Sequence, residues 1–138
     1  MQAYFDNSAT SYPKPFSVYL KSMEGQLRYS FNSGRGGYSE SIRTGEKIYD
    51  VRVKAAEFFN ADVSSVVFTK NCTEALNIAI KGVATKGGHV LISSLEHNSV
   101  SRVVDALSDS GMIEYDVFDY SPDESKTLES FISKLKPN

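Results

Sequence analysis

The apolar residues of this chain fall into two rhythms. Phe16, Tyr19, Leu20, Met23 and Leu27 recur at helical spacing. Pro15, just before them, suits a first helical turn, where its missing N–H is not needed. A polar, glycine-rich stretch follows, Asn32-Ser33-Gly34-Arg35-Gly36-Gly37-Tyr38-Ser39, without any period, and predicts a loop. A longer helix is predicted next, with Ile42, Tyr49, Val53, Ala56 and Phe59 on roughly one face and charges on the other. From residue 65 the rhythm changes. The β-branched run Ser65-Val66-Val67-Phe68-Thr69 predicts a strand, Ala75 to Val83 a helix, and Gly87-Gly88 a break. His89-Val90-Leu91-Ile92-Ser93 predicts a second strand, then Val100, Val103, Val104 and Leu107 a second helix, and residues 113–118 a third strand. Pro122-Asp123-Glu124 opens a last helix that carries Leu128, Phe131, Ile132 and Leu135. Its acids lie in the first turn and its lysines in the last, as the helix dipole favours.

Strands alternating with helices predict an α/β fold, with a parallel sheet and crossover helices. The chain divides into residues 1–62, an N-terminal segment with its helices, and residues 63–138, a run of β-α units. A length of 138 residues suits one domain, and 41% apolar with 23% charged residues is ordinary for a globular chain. The net charge of −2 gives no electrostatic reason to expect nucleic acid or an anionic membrane as partner. No apolar run approaches the ~20 residues that span a bilayer. Met1-Gln2-Ala3-Tyr4-Phe5-Asp6 has neither the basic nor the apolar part of a signal peptide. The single cysteine, Cys72, cannot form an internal disulfide, so a reducing cytoplasm is the expected compartment. No metal site is expected.

Two loops carry candidate chemistry. Thr69-Lys70-Asn71-Cys72-Thr73-Glu74-Ala75 leads from the end of a predicted strand into a predicted helix. Free backbone N–H groups and the helix dipole make such a place an anion site, and Thr73 adds a hydroxyl donor. Plain capping explains the same residues: Asn71 at the N-cap with Glu74 three residues on makes a capping box. Glu96-His97-Asn98-Ser99 follows the next predicted strand and opens on the same sheet edge. A histidine there suits proton transfer near neutrality; alternatively Asn98 or Ser99 caps the next helix and His97 is an ordinary loop residue. His89 has no evident partner and reads as structural.

Taken in order, these segments resemble the cysteine desulfurase and selenocysteine lyase branch of the class V aminotransferase family, which are fold type I pyridoxal-phosphate enzymes. The resemblance rests on Tyr4-Phe5-Asp6-Asn7-Ser8-Ala9-Thr10, Asn32-Ser33-Gly34-Arg35-Gly36-Gly37, Val67-Phe68-Thr69 running into Cys72-Thr73-Glu74-Ala75-Leu76-Asn77, and Glu96-His97-Asn98-Ser99. It implies a homodimer that binds pyridoxal 5′-phosphate and acts on a small amino acid, with a sulfur-acceptor protein as a further partner. It implies that Cys72 and Thr73 lie on the loop holding the cofactor phosphate, and that His97 stacks on the pyridine ring and takes part in catalytic proton transfer. Asn7, Ala9, Thr10, Arg35 and Glu74 are then expected near the substrate or the dimer interface. Cys72 is expected to be a small residue beside the phosphate rather than a nucleophile.

The resemblance further implies that residues 63–138 are the first β-α units of an incomplete large domain. The family's Schiff-base lysine, pyridine-pairing aspartate, carboxylate-binding arginine and sulfur-accepting cysteine match nothing up to Asn138. The 138 residues alone are therefore expected to be inactive and to leave strand edges open to association. In the family the strand matching residues 66–69 does not pair with those matching 90–93 and 114–118. Two other functions stay open at this point: an aminotransferase acting on a small amino acid, and a non-catalytic module binding a phosphate ligand or a partner chain.

Overall fold

In the computed structural model, which describes residues 3–8 and 10–136, Pro15 leads into helix α1, Phe16–Arg28, with φ −53° and ψ 138°. None of the residues of α1 is buried. Phe16 and Leu27 are 73% and 75% exposed, so the apolar stripe read from the sequence is present but uncovered. Helix α2 spans Ser39–Phe59. Its closely packed side chains are Ser41, Thr44 and Ala56, whereas Ile42, Tyr49 and Phe59 are exposed. Of the face expected from the sequence, then, only Ala56 is buried. The loop before α2 explains the difference. It folds back onto the helix start, where the Ser41 hydroxyl lies 2.6 Å from the carbonyl of Asn32 and 2.8 Å from that of Gly36. Gly36 must be glycine, because a Cβ there would stand 2.6 Å from Ser41 Oγ. The helix ends in a Schellman arrangement: Asn60 takes φ 50°, its N–H reaches Glu57, and the Ala61 N–H reaches the carbonyl of Ala56.

A single 3₁₀ turn, Val63–Ser65, follows. The strand expected over residues 65–69 is absent. Ser65 belongs to the turn, and residues 66–69 pair with no other strand among the described residues. Val66 has extended angles, φ −90° and ψ 118°. A β-branched run favours such a conformation, but a strand exists only as part of a ladder, and among the described residues no second strand pairs with it. The boundary between the chain's two compact units falls inside this stretch, between Val67 and Phe68.

The second unit is a βαβ arrangement flanked by two further helices. Its elements are α3 (Cys72–Val83), β1 (Gly88–Ser93), α4 (Asn98–Asp109), β2 (Ile113–Phe118) and α5 (Glu124–Lys134). The two strands are parallel, in register from Gly88 opposite Ile113 to Ser93 opposite Phe118. The core is Ile92, Val104 and Ile113, with Ile80, Ala84, Val90, Val100, Leu107 and Tyr115 packed around it. Helix α4 stops at Gly111, whose φ of +69° lets the Gly111 N–H bond Ser108 and the Met112 N–H bond Leu107. Helix α5 lies against β2, where Phe131 meets Phe118 edge-on at 5.4 Å. Asp123 caps α5, with Glu124 in its first turn and Lys134 in its last. His89 has a partner after all: its Nε2 lies 3.0 Å from Asp116 Oδ2, across the parallel pair. The sequence hides this contact because it needs the strand register.

Candidate functional site

Helices α3 and α4 pack against each other, and their second residues, Thr73 and Ser99, touch. Both helices therefore begin at one place. Each contributes roughly half a positive charge there, from amides that have no intrahelical acceptor.

At the start of α3, Asn71 is the N-cap and its Oδ1 accepts the Glu74 N–H at 2.9 Å. Glu74 bends back, and its Oε2 accepts the Lys70 N–H at 2.7 Å, one residue beyond the position that the usual capping box would use. Thr69 adds a hydroxyl bond to the Asn71 carbonyl at 3.0 Å. Capping thus leaves two amides of the first turn unused. Asn71 occupies the third amide of the helix, while those of Cys72 and Thr73 have no partner among the described residues. Cys72 and Thr73 are both exposed.

At the start of α4 neither of the caps expected from the sequence is used. The N-cap is neither Asn98 nor Ser99 but His97 itself, whose Nδ1 accepts the Ser99 N–H at 3.1 Å. The same Nδ1 lies 2.8 Å from Ser99 Oγ, and Ser99 Oγ lies 2.9 Å from Thr73 Oγ1. Asn98 and Ser99 are excluded from capping because both already have helical geometry, so the side chain before them is the one that can reach back to the amides. The imidazole of His97 remains exposed, with Nε2 free of any bond among the described residues.

The structure thereby brings Thr73 and His97 into one hydrogen-bonded group, with Glu74 and Cys72 on the same helix turn. It does so through Ser99, which is 8% exposed and to which the sequence assigns no role beyond a possible cap and a place in the Glu96-His97-Asn98-Ser99 segment. The missed signal is that a polar residue stands second in each of two helices, one before β1 and one after it, that pack together. Other expected site residues belong to the first unit. Asn7 Oδ1 accepts the Tyr12 N–H at 3.1 Å, Thr10 Oγ1 accepts from Lys14 Nζ at 2.7 Å, and Arg35 is exposed in the glycine loop. Ala9 lies outside the described residues. Among the described residues there is no group of three or more His, Cys, Asp or Glu side chains that could hold a metal ion, and no helix long and apolar enough to cross a membrane.

The donor set fits a phosphate monoester. Two free helix amides and the adjacent Thr73 hydroxyl suit its oxygens, and the exposed imidazole is tied to the same group. The family model described as Aminotransferase class-V matches residues 3–138. A probable cysteine desulfurase of Methanothermobacter thermautotrophicus is 39% identical over 97 residues, covering 70% of this chain and 24% of that protein. A cysteine desulfurase IscS of Clostridium botulinum is 32% identical over 114 residues, covering 80% of this chain and 28% of the relative. The chain thus spans about a quarter of the length of the curated relatives it matches. Among solved structures, the apo cysteine desulfurase of Thermococcus onnurineus superposes with a TM-score of 0.79 at 27% identity, over 95% of this chain and 33% of that one. A second, a C-DES mutant with glycine covalently linked to its PLP cofactor, has a TM-score of 0.61 at 24% identity over 88% of this chain and 32% of its own, and supports the fold alone.

Proposed function

The chain belongs to the aminotransferase class-V family, and from that premise we propose that it supplies the phosphate-holding and ring-facing part of a pyridoxal-phosphate-dependent cysteine desulfurase or selenocysteine lyase. The observation that carries this reading is the group at the starts of α3 and α4. It offers two free amides and a hydroxyl for an anion, and next to them a histidine whose orientation is held.

In this reading Cys72 and Thr73 hold the cofactor phosphate through their backbone N–H groups, and the Thr73 hydroxyl adds a charge-assisted bond. The cofactor, when bound, supplies an electron sink for the carbon atoms of the amino-acid substrate. His97 offers its ring face to the cofactor. Because Ser99 occupies Nδ1, the nitrogen left to hold or move a proton is Nε2. Asn71 and Glu74 keep the loop closed while leaving the two phosphate-facing amides open. The reaction would remove sulfur or selenium from cysteine or selenocysteine and leave alanine. The names of relatives 31–39% identical favour this over transamination of a small amino acid.

Asn7, Ala9, Thr10 and Arg35 are assigned to the vicinity of the substrate or the dimer interface, as in the family the chain resembles. The uncovered apolar side chains of α1 support a homodimer. A sulfur-acceptor protein and a cytoplasmic setting belong to the same reading. Residues 1–138 by themselves are expected to release no sulfide, since the family's Schiff-base lysine matches none of them. Assaying the full-length enzyme for alanine formed from cysteine and from selenocysteine, with and without pyridoxal 5′-phosphate, tests the assignment. Cofactor-dependent alanine supports it; keto-acid formation from a small amino acid with no alanine released would refute it.

A further inference from the structure

Building on the proposed cofactor site, we infer that Ser99 is a positioning residue that couples the Thr73 hydroxyl to the imidazole of His97, so that occupancy of the phosphate end is relayed to the ring nitrogen. Its surroundings favour a relay over a solvated contact, since Ser99 is buried while both of its partners are exposed.

The donors and acceptors can be assigned in order. The Ser99 N–H points at His97 Nδ1 at 3.1 Å, so Nδ1 presents its one in-plane lone pair and carries no proton. The neutral ring then has its hydrogen on Nε2. Ser99 Oγ stands 2.8 Å from the same Nδ1, a distance it can hold against a lone pair only by donating to it. With the single hydroxyl hydrogen of Ser99 used in this way, the 2.9 Å contact to Thr73 is made by the Thr73 hydroxyl donating to Ser99 Oγ. The directed chain runs from Thr73 O–H to Ser99 Oγ, and from Ser99 O–H to His97 Nδ1.

An anion seated on the Cys72 and Thr73 amides changes this order. A phosphate oxygen is a stronger acceptor than a neutral hydroxyl, so the Thr73 O–H turns away from Ser99. Ser99 loses its donor and its own hydroxyl becomes free to turn to Thr73 Oγ1. His97 Nδ1 then keeps only the backbone donor. Bonds in such chains polarise one another, so a change at one end is felt at the other. The proton-handling side of His97 is in this way made to depend on whether the phosphate end is filled.

The test follows the Nδ1 resonance of His97 in the full chain with ¹⁵N-labelled histidine, in two arms. One arm adds inorganic phosphate; the other introduces Thr73→Val. Phosphate is expected to shift Nδ1 in the wild-type background by drawing the Ser99 O–H off it, and Thr73→Val, which leaves that bond in place, to shift it less, through loss of the donor that polarises Ser99; neither should move it in Ser99→Ala, with Ser99→Thr restoring the response. Ser99→Ala keeps the backbone N–H that bonds His97, so α4 stays capped and a loss of coupling is not a loss of fold. An equal Nδ1 response to Thr73→Val in the Ser99→Ala background, or none in the wild type, would overturn the inference. The amide resonances of Cys72 and Thr73 separate this from failure of the cofactor-site reading. If phosphate leaves those amides unmoved, that reading fails, while the Thr73→Val arm still decides the coupling.

Discussion

Replacing Thr73 by valine exchanges one hydroxyl for a methyl of nearly the same volume, and the exposure of Thr73 means that core packing is untouched. The hydroxyl makes one bond, at 2.9 Å to Ser99 Oγ. Ser99 keeps His97 Nδ1 as acceptor at 2.8 Å, so the substitution leaves no buried donor unpaired. The folding cost is then that of a single neutral hydrogen bond, ~0.5–1.5 kcal/mol. For the cofactor the loss is larger. A charge-assisted bond to phosphate contributes ~1.5–3 kcal/mol, but the Thr73 O–H must leave Ser99 to form it, which offsets part of that gain. The net loss lies toward the lower end of that range, about tenfold in affinity. Equilibrium dialysis of pyridoxal 5′-phosphate against wild-type and Thr73→Val enzyme reads the binding loss, and urea unfolding of the same samples reads the folding cost. Thr73→Ser, which keeps the hydroxyl, should retain cofactor close to wild type. If Thr73→Val is folded and its retention is unchanged, the hydroxyl serves Ser99 alone and the phosphate role assigned to it is wrong.

Four further outcomes are expected. His97→Asn should keep α4 capped, because asparagine is a favoured N-cap, yet slow turnover by about 100-fold or more for want of an acid–base group. His97→Ala should lose both, so equal stability of the two variants in urea would contradict the capping geometry. Cys72→Ala should keep cofactor retention and most alanine formation, since the donor used is the backbone N–H; lost activity with cofactor still bound would make the thiol a participant. Val104→Ala removes two methyl groups from a fully buried site between Ile92 and Ile113 and should cost the second unit about 2–3 kcal/mol, against under ~1 kcal/mol for exposed Leu128→Ala. Asp116 is held below its ordinary pKa of 3.8, chiefly by its hydrogen bond to His89 and further by Lys136 and Lys134. A depressed folded-state pKa means stability that is present above 3.8 and lost as pH falls through the lower folded value. Asp116→Asn should therefore flatten the acid limb of a stability–pH curve and leave its neutral region similar in shape; an unchanged acid limb would remove Asp116 from the account.

Much of the second unit was legible from local pattern. The limits of β2 follow from one short run, Ile113–Phe118, bounded by Gly111 and by polar turn residues. The cap at Asn71 with Glu74 on its third position, and the cap at Asp123 with Glu124 in the first turn of α5 and Lys134 in its last, are written within short stretches of chain. The loops of the candidate site could be found the same way, because an amide-rich helix start and a histidine beyond a strand are local features, and four such segments in register point to one family.

What sequence could not supply depended on partners far along the chain. Residues 65–69 have strand composition but no ladder among the described residues, since pairing is a property of two segments rather than one. The apolar faces of α1 and α2 are periodic, yet mostly uncovered, because a stripe buries nothing until another surface meets it. His89 and Asp116 are 27 positions apart and Thr73 and Ser99 are 26 apart. Local chemistry thus specified which residues could bind an anion or move a proton. The packing of α3 on α4 made Ser99 the link between them, because hydrogen bonds of about 3 Å demand a proximity that only folding of distant segments provides.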